Sequence, residues 1–431
     1  MNATVTMFND VRPVPEIKSA TTLPPVIVLN LFHSGLGIIR QLAGTGVRVI
    51  GLSANARIYG NYTRLCEVLS SPDSQEQPDQ LASFLQSLAV ELEGAVIFPT
   101  RDADLLFLDR FRADLEPLYR LAIPPSHILD HVMDKATLAR IALDIGIPIP
   151  RTTTVANSAK LKSAAHDIGF PCLLKPVRSI HWREEHRWKT VGGRKAFRAA
   201  NYLELENHYR RIAQVYPEFL LQEWIPGGTD NLLIWGGHIG PQYDPVISFT
   251  ARKLIQSPAE FGTGCVVQSE LLPDLLEPSV RLCRAFAYEG IAEIEYKQDP
   301  RDGTLKLIEI NARHWDWHEL GKASHVNLTW AAYCRLVGRP VDAAPTATQS
   351  AKWIAEDIFV KHCLASLWEK TSDRSSVTNA IAGERIYGMF AWNDPLPCIR
   401  YSSCTLLPAL AVAASKKIRK RIFNKAVTRS G

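Results

Sequence analysis

The chain runs to 431 residues, 46% hydrophobic and 22% charged, a globular mixture that excludes collagen-like, coiled-coil and largely disordered architectures. No stretch reaches the ~18 consecutive apolar residues of a membrane-spanning helix. The net charge of +5 sits in one segment: residues 416–431 hold seven basic residues and no acid, and setting those seven aside leaves the body at −2, which excludes polyanion binding by anything but that segment.

At roughly 100–200 residues per domain the length predicts two to three domains. Residues 1–24 carry Pro, Thr and scattered charge without period and read as a disordered leader. The acids there and the missing apolar centre argue against a secretory signal. The apolar run Pro25–Leu31 reads as a buried strand, His33-Ser34-Gly35-Leu36-Gly37 as a tight turn into a helix from Ile38, and Val47–Leu52 as the next strand. Gly94–Thr100 predicts a further strand, with a helix from Asp102. Strands alternating with helices predict a parallel sheet, so residues 25–125 are expected to form an N-terminal α/β domain. The glycine turn is not read as a dinucleotide site. That fingerprint needs three spaced glycines and an acid after the second strand, where this chain has Gly51-Leu52-Ser53-Ala54. A helix N-terminus there can still take an anionic group.

Residues 127–146 read as helical, ending at Gly146 and stopped by Pro148-Ile149-Pro150. A second pattern follows: a strand Pro171–Pro176, a polar loop 178–195, a helix near 201–215, a strand Phe219–Ile225 and a turn at Pro226-Gly227-Gly228. Gly290–Lys297 and Leu305–Asn311, joined by the turn Asp299-Pro300-Arg301-Asp302-Gly303, predict a β-hairpin. Residues 341–431 are less regular. The eight cysteines form no C-x-x-C pair and read as free thiols, so a reducing, cytoplasmic setting is expected.

The chemistry-bearing residues cluster in the second half. Glu293 and Glu295 share one face of the first hairpin strand, and Glu309 and Asn311 one face of its partner. Pairing brings Glu295 beside Glu309 and Asn311. Facing carboxylates repel unless a cation lies between them, and oxygen-only ligands suit Mg2+, with Mn2+ also admitted. The plain alternative, a solvated sheet face, is disfavoured by the apolar flanks Ile294, Ile308 and Ile310. Lys135 at a helix start and Lys175 at the end of an apolar strand are candidate phosphate contacts, although either lysine alone reads more simply as a chain reaching solvent. Gln222-Glu223-Trp224-Ile225 offers backbone donors and acceptors beside apolar side chains, a setting for a flat heterocycle or merely a strand end. No Ser-His-Asp or Cys-His constellation, G-x-S-x-G or H-E-x-x-H pattern occurs, and His181, His186, His314 and His318 are read as structural.

Taken together, in order and spacing from about residue 30 to 340, these features resemble the ATP-grasp superfamily. They are Asp134-Lys135, Leu174-Lys175-Pro176, Gln222 to Gly227, Glu295 and Glu309-Ile310-Asn311. Ala251-Arg252-Lys253, Phe261-Gly262-Thr263-Gly264, Ala312-Arg313 and Asp394-Pro395-Leu396-Pro397 narrow the resemblance to the carboxylate–amine ligases that include D-aspartate ligase. The resemblance implies a mixed α/β and α+β architecture. A parallel-sheet α/β domain (25–125) would precede a two-subdomain ATP-grasp fold (126–340, lid about 150–225), with a C-terminal extension and basic tail (341–431).

It also implies roles. Lys135 and Lys175 would contact the ATP phosphates. Gln222, Glu223, Trp224 and Ile225 would surround the adenine, Glu223 taking the exocyclic amine. Glu295, Glu309 and Asn311 would bind magnesium. Arg313 would steady the transferred phosphate, and Arg252 and Lys253 would receive an anionic substrate. In one respect the chain departs: the small glycine-rich loop that normally closes over the phosphates is replaced by 178–195, which carries Arg178, Arg183, Arg187, Lys189 and Arg194.

The implied activity is ATP-dependent, ADP-forming ligation of a carboxylate to an amine through an acyl phosphate, on an acidic amino acid or another anionic substrate. Two alternatives stay open: a small-molecule kinase on the same scaffold, and a membrane-surface assembly protein with a degenerate ATP site. The expected partners are small-molecule or peptide substrates, no specific nucleic acid, and a second copy in a homodimer. Residues 416–431 suggest weak contact with the inner membrane face, but Pro408 breaks any long amphipathic helix before them, and a solvated end is the simpler reading.

Overall fold

Residues 23–183, 185–216, 218–341, 350–369 and 374–408 are described by the computed structural model of the chain. The expected leader, through residue 22, and the basic run 416–431 lie outside them. β1 (Val26–Leu29), β2 (Val49–Ser53), β3 (Glu67–Ser70), β4 (Val96–Phe98) and β5 (Arg120–Leu121) form a parallel sheet in the order β3-β2-β1-β4-β5. β1 and β4 are buried throughout, as parallel strands covered on both faces are, hence their unbroken apolar sequence. Asn30, at φ +69°, turns the chain out of β1, and the helix His33–Leu42 starts three residues later. The turn expected over 33–37 therefore falls at 30–32. Gly35 is helical, because the helix enters so tightly that a Cβ there would stand 2.1 Å from the Asn30 carbonyl oxygen.

The helical stretch expected over 127–146 is two helices, Ser126–Met133 and Lys135–Asp144, the second starting at Lys135 as expected. Asp134 between them is extended, and its carboxylate accepts from the Thr137 N–H at 2.8 Å. A good N-cap thus restarts the helix. The lid follows: β6 (Thr152–Val155), β7 (Cys172–Pro176), β8 (Phe197–Ala199) and β9 (Phe219–Glu223), antiparallel in the order β6-β9-β7-β8. The polar loop expected at 178–195 contains two short helices, Ile180–Arg183 and Glu185–Thr190. Trp182 and Val191 are buried in the lid core with Phe197 and Phe219, and these apolar anchors hold down an otherwise charged segment.

The largest sheet holds β10 (Leu232–Ile239), β11 (Pro245–Ser257), β12 (Thr263–Ser269), β13 (Gly290–Gln298), β14 (Leu305–Asn311), β15 (Ala351–Ile354) and β16 (Glu384–Tyr387), in the order β14-β13-β10-β11-β12-β15-β16. β13 and β14 are the expected hairpin. Residues 350–369 and 374–408 continue this sheet through β15 and β16 and clasp the N-terminal unit. Buried Arg40 donates to the carbonyls of Tyr387, Gly388 and Met389 at 3.1, 3.2 and 2.6 Å. Buried Asp394 accepts from Thr63 Oγ1 at 2.7 Å and Arg64 N–H at 3.1 Å. One core joins the two sheets, with Val26, Ile38 and Phe98 against Phe249, Trp315 and Trp353. All eight cysteines are free. Among the described residues no helix is long and apolar enough to cross a membrane.

Candidate active site

The lid, the large sheet and the turn after β4 enclose a cavity of about 680 Å3, the size of a site for a small molecule or cofactor. Lys135, Lys175, Gln222, Glu223, Trp224, Ile225, Lys253, Glu295, Glu309, Asn311 and Arg313 all line it. Lys135 opens its helix. Its Nζ donates to Ser179 Oγ at 2.9 Å and its backbone N–H to the Val177 carbonyl at 3.1 Å, which ties that helix to the lid. Lys175, on β7, donates to Gln222 Oε1 on β9 at 2.8 Å. Burial pushes its ammonium down to about 8, with Glu309 opposing and Lys135 assisting.

In the hairpin register Glu295 stands opposite Glu309, and Glu293 opposite Asn311. Asn311 is therefore the diagonal neighbour of Glu295, not its direct partner. Glu295 is ion-paired with Lys253, whose Nζ also lies 5.0 Å from the centre of the Trp317 ring. Asn311 Nδ2 donates to Glu293 Oε2 at 2.9 Å, while Glu293 Oε1 is buried without a partner. Burial raises the Glu293 carboxyl to about 8, opposed by Lys253 and reinforced by Glu295 and Glu309. Glu309 also pays for burial, but the fields of Lys135, Lys253, Lys195 and Lys175 hold its carboxyl below the usual value. Among the described residues no group of three or more His, Cys, Asp or Glu could hold a metal ion by itself. Two carboxylates and an amide oxygen make an all-oxygen, incomplete set. That fits Mg2+ sharing phosphate oxygens, the ion's usual arrangement.

At the other end of the cavity, the Glu223 carboxylate accepts from Arg301 Nη2 at 2.7 Å and the Arg151 N–H at 3.2 Å. These partners, with Lys306, hold it below its ordinary value against burial. Trp224 lies between the Arg198 guanidinium, 4.7 Å from its ring centre, and the Lys297 ammonium at 5.0 Å. Arg252 is the exception among the expected residues. Neighbours on a strand face opposite ways, so with Lys253 turned inward Arg252 points outward. It is bound to Glu270 at 2.7 and 2.9 Å and to the Asp230 carbonyl at 2.7 Å. The structure does not bring it to the site.

Several lining residues were not singled out from the sequence. Lys297 continues the alternation of Glu293 and Glu295, a signal that was available. Lys195 Nζ lies 3.4 Å from Thr263 Oγ1, joining lid to sheet. Asp102 pairs with Arg313 at 2.7 Å and Arg183 at 3.4 Å. Although desolvation opposes its charge, its carboxyl is held at about 2 by Arg313, Arg183 and Lys135. Nothing local marks a residue whose partner lies 211 positions away. His314 and His318 are buried near the cavity, and burial lowers both, His318 to about 4. They are neutral at pH 7, in keeping with a structural role.

No protein-family model matches the chain. Over 195 residues it is 25% identical to D-aspartate ligase of Enterococcus faecium (strain Aus0004), spanning 43% of this chain and 45% of that one. Over 186 residues it is 25% identical to D-alanine–D-alanine ligase of Pseudomonas putida (strain GB-1), spanning 42% and 54%. The matched part is thus about half the length of these curated relatives. Among solved structures it is similar to biotin carboxylase from Campylobacter jejuni in complex with a β,γ-ATP ligand (TM-score 0.58, 16% identity, 74% of this chain and 72% of that one). It is also similar to N5-carboxyaminoimidazole synthetase from Staphylococcus aureus complexed with ADP (TM-score 0.61, 11% identity, 80% and 87%).

Proposed function

We propose that this chain, which has the ATP-grasp fold, is an ATP-dependent, ADP-forming ligase that joins a carboxylate to an amine through an acyl phosphate. The observation that carries the reading is the convergence of Lys135, Lys175, Glu295, Glu309 and Asn311 on one cavity between lid and sheet. A carboxylate is a poor acyl donor. Moving the γ-phosphoryl group onto its oxygen releases ADP and leaves a mixed anhydride. The amine nitrogen then attacks the acyl carbon, the C–N bond forms, the C–O bond to phosphate breaks, and phosphate leaves with the amine's proton lost to water.

Such chemistry needs charge neutralisation and positioning more than a nucleophilic side chain, in keeping with neutral, structural histidines. Lys135 and Lys175 would hold the phosphates. Glu295, Glu309 and the Asn311 amide oxygen would hold Mg2+, which when bound offsets phosphate charge. Arg313 would face the transferred phosphate. The residues around Trp224 and Ile225 would take the base. Engaging the metal requires Glu295 to share or release Lys253, which would leave that ammonium for an anionic substrate. The relatives named for D-aspartate and D-alanine ligation favour an amino acid as one partner.

ADP release measured across panels of carboxylates, acidic amino acids and amines tests the reading. Amine-dependent ADP and C–N product support the ligase. ADP release with a stable phosphorylated product and no need for an amine would mark a kinase instead.

A further inference from the structure

The turn after β4 carries a charge that none of the roles above uses. Asp102, the first residue of the helix Asp102–Arg110, reaches from the N-terminal unit into the cavity wall. Its Oδ1 accepts from Arg313 Nε at 2.7 Å, with Arg313 Nη2 also 2.7 Å away. Its Oδ2 lies 3.4 Å from Arg183 Nη1. The two arginines belong to different bodies: Arg313 follows β14 in the large sheet, and Arg183 ends a short helix of the lid. Gln75, also in the N-terminal unit, donates to the Arg183 carbonyl at 3.4 Å. The turn itself is braced, because the Arg101 guanidinium is bound to Asp73, Ser74 and Asp104. Arg313 Nη1 donates to the His314 carbonyl at 3.0 Å, and Nη2, beside Asp102, also donates to Asn311 Oδ1 at 3.4 Å. A guanidinium on a long side chain has one useful plane at a phosphate, and these contacts select it.

We propose that Asp102 is a positioning residue for phosphoryl transfer: it sets the plane of Arg313 and, through Arg183, latches the lid over the cavity. The part concerning Arg313 rests on the ligase reading above; the latch stands on the contacts alone. One carboxylate thus links the three bodies that enclose the site. With it neutralised, Arg313 keeps its charge and still attracts phosphate, but its orientation is no longer imposed. The loss then falls on the transition state more than on nucleotide binding.

The test uses the full chain and four variants: Asp102→Asn, which keeps the shape, Asp102→Glu, which keeps the charge, Arg183→Ala, and the double variant Asp102→Asn/Arg183→Ala. Hydrogen–deuterium exchange of residues 178–195, with and without MgADP, reads the latch. The kcat and KM for ATP in ADP formation read the positioning. Asp102→Asn is expected to raise exchange in 178–195 to the level of Arg183→Ala, with no further rise in the double variant. Its kcat should fall by about 10- to 100-fold, the scale of a misplaced catalytic group, with the KM for ATP within about twofold. Asp102→Glu should recover part of both. Unchanged exchange in Asp102→Asn overturns the latch. An intact kcat, or a loss carried entirely by KM, overturns the positioning. If the wild-type chain forms no ADP with any substrate pair, the ligase reading fails and the Arg313 part with it, while exchange still decides the latch.

Discussion

Lys175 shows how one side chain's surroundings set a measurable property. Its ammonium titrates near 8 because burial disfavours the charged form. It is charged and attractive to phosphate below that pH and neutral above it, whereas an ordinary lysine keeps its charge beyond pH 10. Nucleotide affinity of the free chain should therefore weaken between pH 7 and 9 by roughly tenfold, the worth of one charge-assisted contact. Lys175→Arg should remove that step; isothermal titration at the two pH values checks both. Glu309→Gln removes charge from the metal set at constant shape. It should lower Mg2+-dependent ADP formation by about two orders of magnitude while circular dichroism and a cooperative melt stay native-like. Turnover at the wild-type rate would remove Glu309 from the metal role. Arg252→Ala should leave kcat and both KM values within about twofold and cost about 1 kcal/mol, because it breaks a partly exposed pair with Glu270 and a hydrogen bond to the Asp230 carbonyl, both away from the cavity. A rise in substrate KM would return Arg252 to the site. At this scale the two-residue spacing of Glu293, Glu295 and Lys297 was legible as a face. The inward turn of Lys253 rather than Arg252 was not, because an isolated Arg-Lys pair gives no phase for its strand.

Elements were read well where apolar periodicity was strong and poorly where side chains cap or anchor the chain. β1, β7, β9 and the β13–β14 hairpin stand where their apolar runs placed them, within a residue or two. The helix start at Lys135 was legible, but the end of the preceding helix at Met133 and the capping role of Asp134 were not, since a capping aspartate and a surface aspartate look alike until the Thr137 N–H is seen to point at it. That cap also fixes where Lys135 begins its helix. Asp134→Ala should cost about 1 kcal/mol, read as a shift in urea midpoint. It should weaken nucleotide binding as well, since Lys135 sits on the turn that frays. Binding unchanged at the lower stability would uncouple the cap from the site. The segment 178–195 was misread for a related reason: its charges describe its exposed side, whereas its helices are held by Trp182 and Val191 underneath.

On the scale of the whole molecule, the least legible feature is the way residues 350–369 and 374–408 close on the N-terminal unit. Their own pattern is irregular because their partners are remote. β15 adds to β12, Arg40 meets carbonyls at 387–389, and Asp394 meets Thr63 and Arg64. Arg40 Nη2 also lies 4.0 Å from Asp394 Oδ2, so Asp394→Ala would leave the Arg64 N–H unpaired and the buried Arg40 poorly matched, and should destabilise the chain by about 2–4 kcal/mol. Chemical denaturation checks this, and a loss below about 1 kcal/mol would make the contact incidental. The clasp has a consequence for the order of events during synthesis. Arg40 leaves the ribosome 349 residues ahead of its partner at Met389. At about 5–20 residues per second, that is a wait of about 20–70 s. Throughout it a guanidinium destined for the interior must stay in water, so the unit around β1 is finished only after the strands and loops near Met389 have been made.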